Sequence, residues 1–398
     1  YRTGGFVGAF ILGPEYGFAQ GFETFNASFP KFIAADKMNV RRVGSDVVDA
    51  ALAWLKGDAT KPFFAWVHLY DAHAPYAPPA PFRTQFATPY DGGLAYVDAQ
   101  VGRLVSALEQ RGQLDRTLVV VVADHGEGLG EHGESEHGIF LYEGVLRIPW
   151  IMRLPARAHA ASVVEGQVRA IDVLPTVADL SGQRLTAKVD GESVVSLIGA
   201  KPRTDPPASY ATTEYPRLHF GWSDLKSVRV GAWKYIDAPR PELYDQKDRA
   251  EKLNLFDQRG TLAAGLAGEL KRIEGTFGAA ASAPVAQADP DTLARLRSLG
   301  YIGVTAQSSG VRGADPKDKI ASFETFKSQL ARALTALQRN DAAAAVPLLK
   351  SVVAANDRSY EAHLFLGDAY MGTKQHANAL DEYAAAALLN PTNATPLV

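Results

Sequence analysis

Three runs of the chain are apolar without alternation and rich in β-branched or aromatic residues: Phe6–Leu12, Phe63–Leu69 and Leu118–Ala123. Such runs predict strands buried on both faces, for which a parallel sheet is the natural host. Between the second and third, Leu94, Val97, Val101, Leu104, Val105 and Leu108 recur at helical spacing and stop at Arg111-Gly112, which predicts a βαβ unit. Arg147–Arg153 predicts a further strand and Ile171–Leu180 a helix with Pro175 near its start. From Tyr210 to Phe256 the pattern turns aromatic and turn-rich, as a small antiparallel sheet capping the main domain requires.

Residues Ala279–Asp289 and Thr305–Asp318 are small, polar and punctuated by Pro or Gly, and read as linkers flanking one short helix. The last stretch is Ala-rich and helical, and two windows match at an offset of 34: Asn340, Ala345 and Asn356 fall on Lys374, Ala379 and Asn390. HLFLGDAY at His363–Tyr370 fits the first helix of a tetratricopeptide repeat, closed by Pro391. Two repeats are too few for a solenoid on their own, so the array is expected to lean on the rest of the chain or to continue. The expected domains are residues 1–200, a capping subdomain at 201–275, a linker at 276–318 and helical repeats at 319–398.

At 398 residues, with 46% hydrophobic and 21% charged, the chain can bury a sizeable core. Lys and Arg number 41 against 44 Asp and Glu, so no global field recruits nucleic acid or an anionic membrane, and an anionic substrate must be attracted locally. Cysteine is absent, which excludes a thiolate metal cluster and a cysteine nucleophile within these residues. No apolar run approaches the roughly 18 residues of a membrane span. The opening YRTGGFVGAFIL reads as a turn entering a strand inside a domain, so the natural N-terminus is expected to lie upstream.

Ligands of an open parallel sheet collect beyond the carboxyl ends of its strands. Two such loops are loaded: YDAHAPYAPP after Phe63–Leu69, and DHGEGLGEHGESEHG after Leu118–Ala123. Co-directional strands would bring Asp71, His73, Asp124, His125, His132 and His137 to one cavity. Four of the nine histidines lie in these loops, a cluster that scattered surface residues do not produce. Asp124 and His125 can offer an oxygen and an imidazole nitrogen to one divalent cation while Gly126 turns the backbone around it. A lone Asp-His-Gly is as often a simple turn; its place after four valines and before two more histidines favours the metal. His73 is expected to bind an ester's non-bridging oxygen or protonate the leaving group, with His137 in a similar part or as ligand to a second metal. Asp71, Glu127, His132, Glu131 and Glu134 could orient these groups or stand as plain loop residues. Tyr215, Arg217, His219 and Trp222 could line the pocket or pack the capping sheet.

HLYDAHAPYAPP, VVADHGEGLGEHGESEHGIFLYEGVLRIPWIMRLP, IDVLPTVADLSG and DGESVVSLI, in that order, resemble the sulfatase branch of the alkaline phosphatase superfamily over about residues 1–256. GWSDLKSVRVGAWKYIDAPRPELYD and RLRSLGYIG at Arg295–Gly303 look like its bacterial members with tetratricopeptide repeats. The resemblance implies an α/β/α sandwich with a mostly parallel sheet, a small antiparallel C-terminal subdomain and an all-α segment. It carries Asp124 and His125 over as metal ligands, His73 and His137 as catalytic and substrate-binding residues, and places the nucleophile upstream of what matches Tyr1, so that this chain alone would be inactive. It also implies a sulfated or phosphorylated small molecule or glycan as substrate, and is compatible with export or a periplasmic site.

Where many sulfatases have Asn after the metal-binding Asp, this chain has His125. An imidazole favours manganese or zinc over calcium, though calcium remains open, and keeps phosphate esters beside sulfate esters. Two rivals follow: a phosphoryl or phosphoethanolamine transferase using the same site, and a non-catalytic binding protein whose repeats dock a protein partner.

Overall fold

A computed structural model describes residues 1–29, 41–57, 60–199, 204–278 and 312–389. It divides into two units, residues 1–118 and, among those described, 119–278 with 312–389. The fold is α/β, with a parallel sheet, antiparallel strands and a C-terminal all-helical segment.

In the first unit, β1 (Arg2–Phe6) lies between β2 (Thr24–Asn26) and β3 (Phe63–Val67), parallel to both. The first strand therefore comes earlier than the apolar run suggests, and Phe10–Leu12 is a 3-10 turn. The glycines explain the shift: side chains at Gly4 and Gly5 would collide with the rings of Trp54 and Phe25, which cover the strand. Residues that look like a turn are the sites where aromatic rings approach the backbone. Phe6 is buried with Val47 and Ala51 of α1 (Gly44–Leu55). After the short α2 (Phe82–Gln85), α3 (Pro89–Gln110) supplies the expected amphipathic helix. Thr88 caps it by accepting from Asp91 N–H at 3.1 Å, and Pro89 occupies the first position, where no N–H is needed.

In the second unit, β4 (Val119–Val122) pairs antiparallel with β5 (Trp150–Arg153), which follows the short α4 (Glu143–Leu146). This ladder corrects the expected parallel partner for Leu118–Ala123; the apolar run has no feature that distinguishes the two pairings. Next comes α5 (Val173–Leu180). Asp172, buried, accepts from Arg169 and from Glu192 N–H, tying the IDVLPT stretch to the DGES stretch. Both stretches thus have a structural job.

The expected antiparallel sheet is present as β6 (Ser209–Thr213), β7 (Leu225–Val230), β8 (Trp233–Asp237) and β9 (Glu242–Asp245) in sequential order, with α6 (Tyr215–Phe220) between the first two strands. One face packs on α7 (Gly260–Gly278) through Val228, Tyr235, Leu243, Ala263, Leu266 and Leu270. The other faces the C-terminal helices α8 (Pro316–Gln338), α9 (Ala342–Ala355), α10 (Tyr360–Gly372) and α11 (His376–Leu389). Leu225, Ile236 and Tyr244 share a core with Phe323, Phe326, Val352 and Ala362. Burying one such aromatic side chain stabilises by about 2–3 kcal/mol. Tyr215, Phe220 and Trp222 join this contact, and His219 stacks on Tyr215 at 4.3 Å, so the aromatic group near α6 is packing.

The 34-residue offset has a geometric counterpart. Asn340 and Lys374 both adopt left-handed backbone, at φ 58° and 61°, and Ala345 and Ala379 are both buried. Asn390, Pro391 and residues 279–311 of the linker expected at 276–318, with the short helix expected there, lie outside the described residues, while the ends of that span are helical, in α7 to Gly278 and in α8 from Pro316. No helix among the described residues is long and apolar enough to cross a membrane.

Candidate active site

The loop after β4 turns at Asp124-His125-Gly126. Asp124 Oδ1 accepts from His125 N–H at 3.0 Å, and its side chain is 81% exposed. His125 Nδ1 donates to Gly126 O at 2.7 Å. A carbonyl can only accept, so this bond fixes the proton on Nδ1 and leaves Nε2 of the neutral ring as a lone-pair donor. That Nε2 lies 3.8 Å from Asp124 Oδ2. Two ligand bonds of about 2.1 Å to one cation span such a separation. Among the described residues no group of three or more His, Cys, Asp or Glu is placed to hold a metal ion; Asp124 and His125 supply two donors.

The turn is held from below. Gly126 N–H donates to Val145 O at 2.8 Å, and a side chain at Gly126 would collide with Gly144 O. Beneath α4, Lys234 pairs with Glu251 at 2.7 Å and Glu143 at 3.4 Å, while Glu251 also accepts from Glu143 N–H at 2.8 Å. Lys234 and Glu251 are each 1% exposed, and removing one partner from such a pair would leave an uncompensated charge. This support was not legible in the sequence, where Lys234 is one polar residue in a strand.

His137 returns to the turn: its ring centroid is 3.9 Å from that of His125. Its Nδ1 bonds Glu127 Oε1 at 2.8 Å. Burial pulls its pKa down, but the Glu127 hydrogen bond and charge, with Glu136 and Glu134, outweigh that and raise it. Of Glu127, Glu131 and Glu134, Glu127 is the one bonded to a histidine. Glu131 accepts from Leu129 N–H at 2.8 Å, closing a turn. Glu134, 3% exposed, accepts from Ile139 N–H at 2.7 Å and Phe140 N–H at 3.2 Å, and burial pushes its pKa up to about 7. His132 sits in left-handed backbone, bonds Ala250 O at 3.0 Å and stacks on Tyr142. Asp124 also lines a cleft of 1890 Å³ in which Arg147, Arg229 and Arg249 stand among carboxylates that include Glu143, Asp190 and Glu192, so its charge is mixed.

In the first unit, His73 Nδ1 donates to Ala74 O at 2.6 Å and the ring stacks on Tyr70 at 4.3 Å. Arg41 donates to Pro75 O at 3.0 Å, fixing this loop. Asp71 Oδ1 accepts from Gly44 N–H at 3.1 Å, the first turn of α1, while Oδ2 is buried without a hydrogen bond. Burial raises the Asp71 pKa, against the Gly44 bond and Arg41.

The sulfatase family model matches residues 19–183, and that of the N-sulphoglucosamine sulphohydrolase C-terminal region matches 130–274. The stretch that the sulfatase model matches contains Asp71, His73, Asp124, His125 and His137. An N-acetylglucosamine-6-O-sulfatase of Bacteroides thetaiotaomicron is 32% identical over 184 residues, 43% of this chain and 32% of that protein. A choline-sulfatase of Rhizobium meliloti is 33% identical over 174 residues, 42% of this chain and 32% of that protein. The match thus spans about a third of these relatives' length. Two solved structures show the same fold. One, in complex with its substrate D-glucosamine-2-N,6-O-disulfate, has TM-score 0.55 at 19% identity over 70% of this chain and 80% of its own. The phosphonate monoester hydrolase of Agrobacterium radiobacter has TM-score 0.52 at 22% identity over 58% and 60%.

Proposed function

We propose that the protein is a metal-dependent sulfatase-type hydrolase that cleaves sulfate esters or related phosphate esters. The observation that carries this reading is the turn itself: Asp124 Oδ2 and His125 Nε2 stand 3.8 Å apart with the His125 tautomer fixed for ligation, and His137 lies against His125. A divalent cation held there, manganese or zinc by the donor set, with calcium as the alternative, would neutralise charge on the ester oxygens and favour the ionised nucleophile. Asp124 and His125 bind it. His137, its pKa raised by the Glu127 hydrogen bond and charge against the effect of burial, is the residue that binds an equatorial oxygen of the ester in this reading. His73 contacts the ester's oxygens or passes a proton to the departing alkoxide. Asp71 shapes its loop by holding α1, and Glu127 orients His137. His132 serves the loop's fold. The nucleophile is assigned to none of these residues.

In this reading, residues 1–200 belong to the catalytic core, 201–275 to the capping subdomain and 319–398 to tetratricopeptide-like repeats. The imidazole of His125 favours a borderline cation, and with it phosphate-ester hydrolysis or phosphoryl transfer as the second reading.

The test is metal analysis of the protein and of its Asp124→Ala, His125→Ala double variant, beside turnover of an aryl sulfate, a phosphate monoester and a phosphodiester. Loss of metal from the double variant is expected. Equal metal content in both proteins removes the site assignment, and transfer to added alcohol without hydrolysis selects the transferase.

A further inference from the structure

The loop that carries His137 is fastened from the C-terminal helical segment. Gly128 N–H donates to Glu136 O at 2.7 Å and Gly130 N–H to Glu134 O at 2.9 Å, so the loop folds back and brings His137 to Glu127. The returning limb meets α8. Ser135 N–H donates to Glu324 Oε1 at 3.2 Å, and Ser135 Oγ–H donates to Oε2 of the same carboxylate at 2.6 Å. Lys327 Nζ donates to Ser135 Oγ at 3.0 Å and pairs with Glu136 at 3.3 Å and Glu324 at 3.6 Å. One carboxylate and one ammonium therefore grip the two residues that precede His137, through charge-assisted bonds.

The grip has a firm base. Phe323 and Phe326 of α8 are buried with Ile139, Phe140, Leu141 and Tyr142, the segment that follows His137. This apolar contact anchors the helix whether or not the polar set is present, so deleting Glu324 loosens the limb without detaching α8.

We propose that Glu324 and Lys327 are positioning residues for His137, locking the returning limb of its loop and thereby setting how its ring faces an ester's oxygens. The inference rests on the assignment of His137 to the substrate side of the site. It makes the helical segment part of the frame of that site.

The test compares the native protein with Glu324→Ala, Glu324→Gln, Ser135→Ala and the Ser135→Ala, Glu324→Ala double variant. Amide hydrogen exchange is read over 128–138, and inorganic sulfate binding is measured by titration calorimetry, with the His137 ring signal followed by NMR where that residue is present. Glu324→Ala should speed exchange of these amides about tenfold and weaken sulfate binding about threefold, while amides of α8 keep their protection. The double variant should be no worse than Glu324→Ala alone, since both changes break one contact. Glu324→Gln, which keeps an acceptor for Ser135, should recover most of the loss. Unchanged exchange in Glu324→Ala overturns the proposal, as does faster exchange with unchanged sulfate affinity. His137→Ala separates the two levels: if it binds sulfate as the native protein does, the assignment of His137 fails, whereas native sulfate affinity in Glu324→Ala alone removes the clamp and leaves that assignment standing.

Discussion

Two loops follow β-strands and each opens with an Asp near a His, yet the two carboxylates are used in opposite ways. Asp71 is turned into the protein, where one oxygen caps the first turn of α1 and the other is buried. Asp124 accepts one bond from its own neighbour and otherwise faces out, at 81% exposure. The contrast shows that a motif's residue types do not assign its labour. Each carboxylate has one oxygen on a backbone N–H, and what differs is the setting of the other, buried in Asp71 and open in Asp124.

Glu134 sets the buried limit of this comparison and gives the largest expected effect. Its folded-state pKa is raised, from an ordinary value near 4.5 to about 7, because burial disfavours the charge. The stability it contributes is present below pH 4.5 and lost as pH rises through about 7. Glu134→Gln should flatten that decline by on the order of 3 kcal/mol, read from denaturant unfolding at a series of pH values. An unchanged slope would mean that the carboxyl is not held neutral. At the exposed limit, Asp124→Asn should weaken divalent-cation binding about a hundredfold, yet leave the unfolding free energy within about 0.5 kcal/mol. The smallest effects belong to Asp71. Asp71→Ala should cost about 1 kcal/mol by uncapping α1, while Asp71→Asn, which keeps the accepting oxygen, should cost less than half of that. If calorimetry found Asp71→Asn as damaging as Asp71→Ala, the charge and not the cap would be what α1 requires.

The divide between what the chain reveals and what it hides follows the range of the interactions. Asp124, His125 and His137 stand out because strand end, glycine turn and clustered histidines are neighbours along the sequence. Glu127, Glu131 and Glu134 could not be told apart, since each is an acid in a glycine-rich loop. Their separate jobs depend on how the loop folds back through Gly128 and Glu136. The cap that Asp71 gives Gly44 spans 27 positions, and the bond from Ser135 to Glu324 spans 189. Neither leaves a periodic or compositional trace. The shift of the first strand to Arg2–Phe6 is similar: Gly4 and Gly5 signal a turn in isolation, and only the rings of Trp54 and Phe25 show why a strand needs them.

The most direct test of the cation site is a titration of the histidine-labelled protein with Mn²⁺, because paramagnetic broadening falls steeply with distance from the ion. The account predicts that the His125 and His137 ring signals disappear first, and that Asp124→Asn delays the loss to far higher Mn²⁺. Persistence of both signals while other histidines broaden would contradict it.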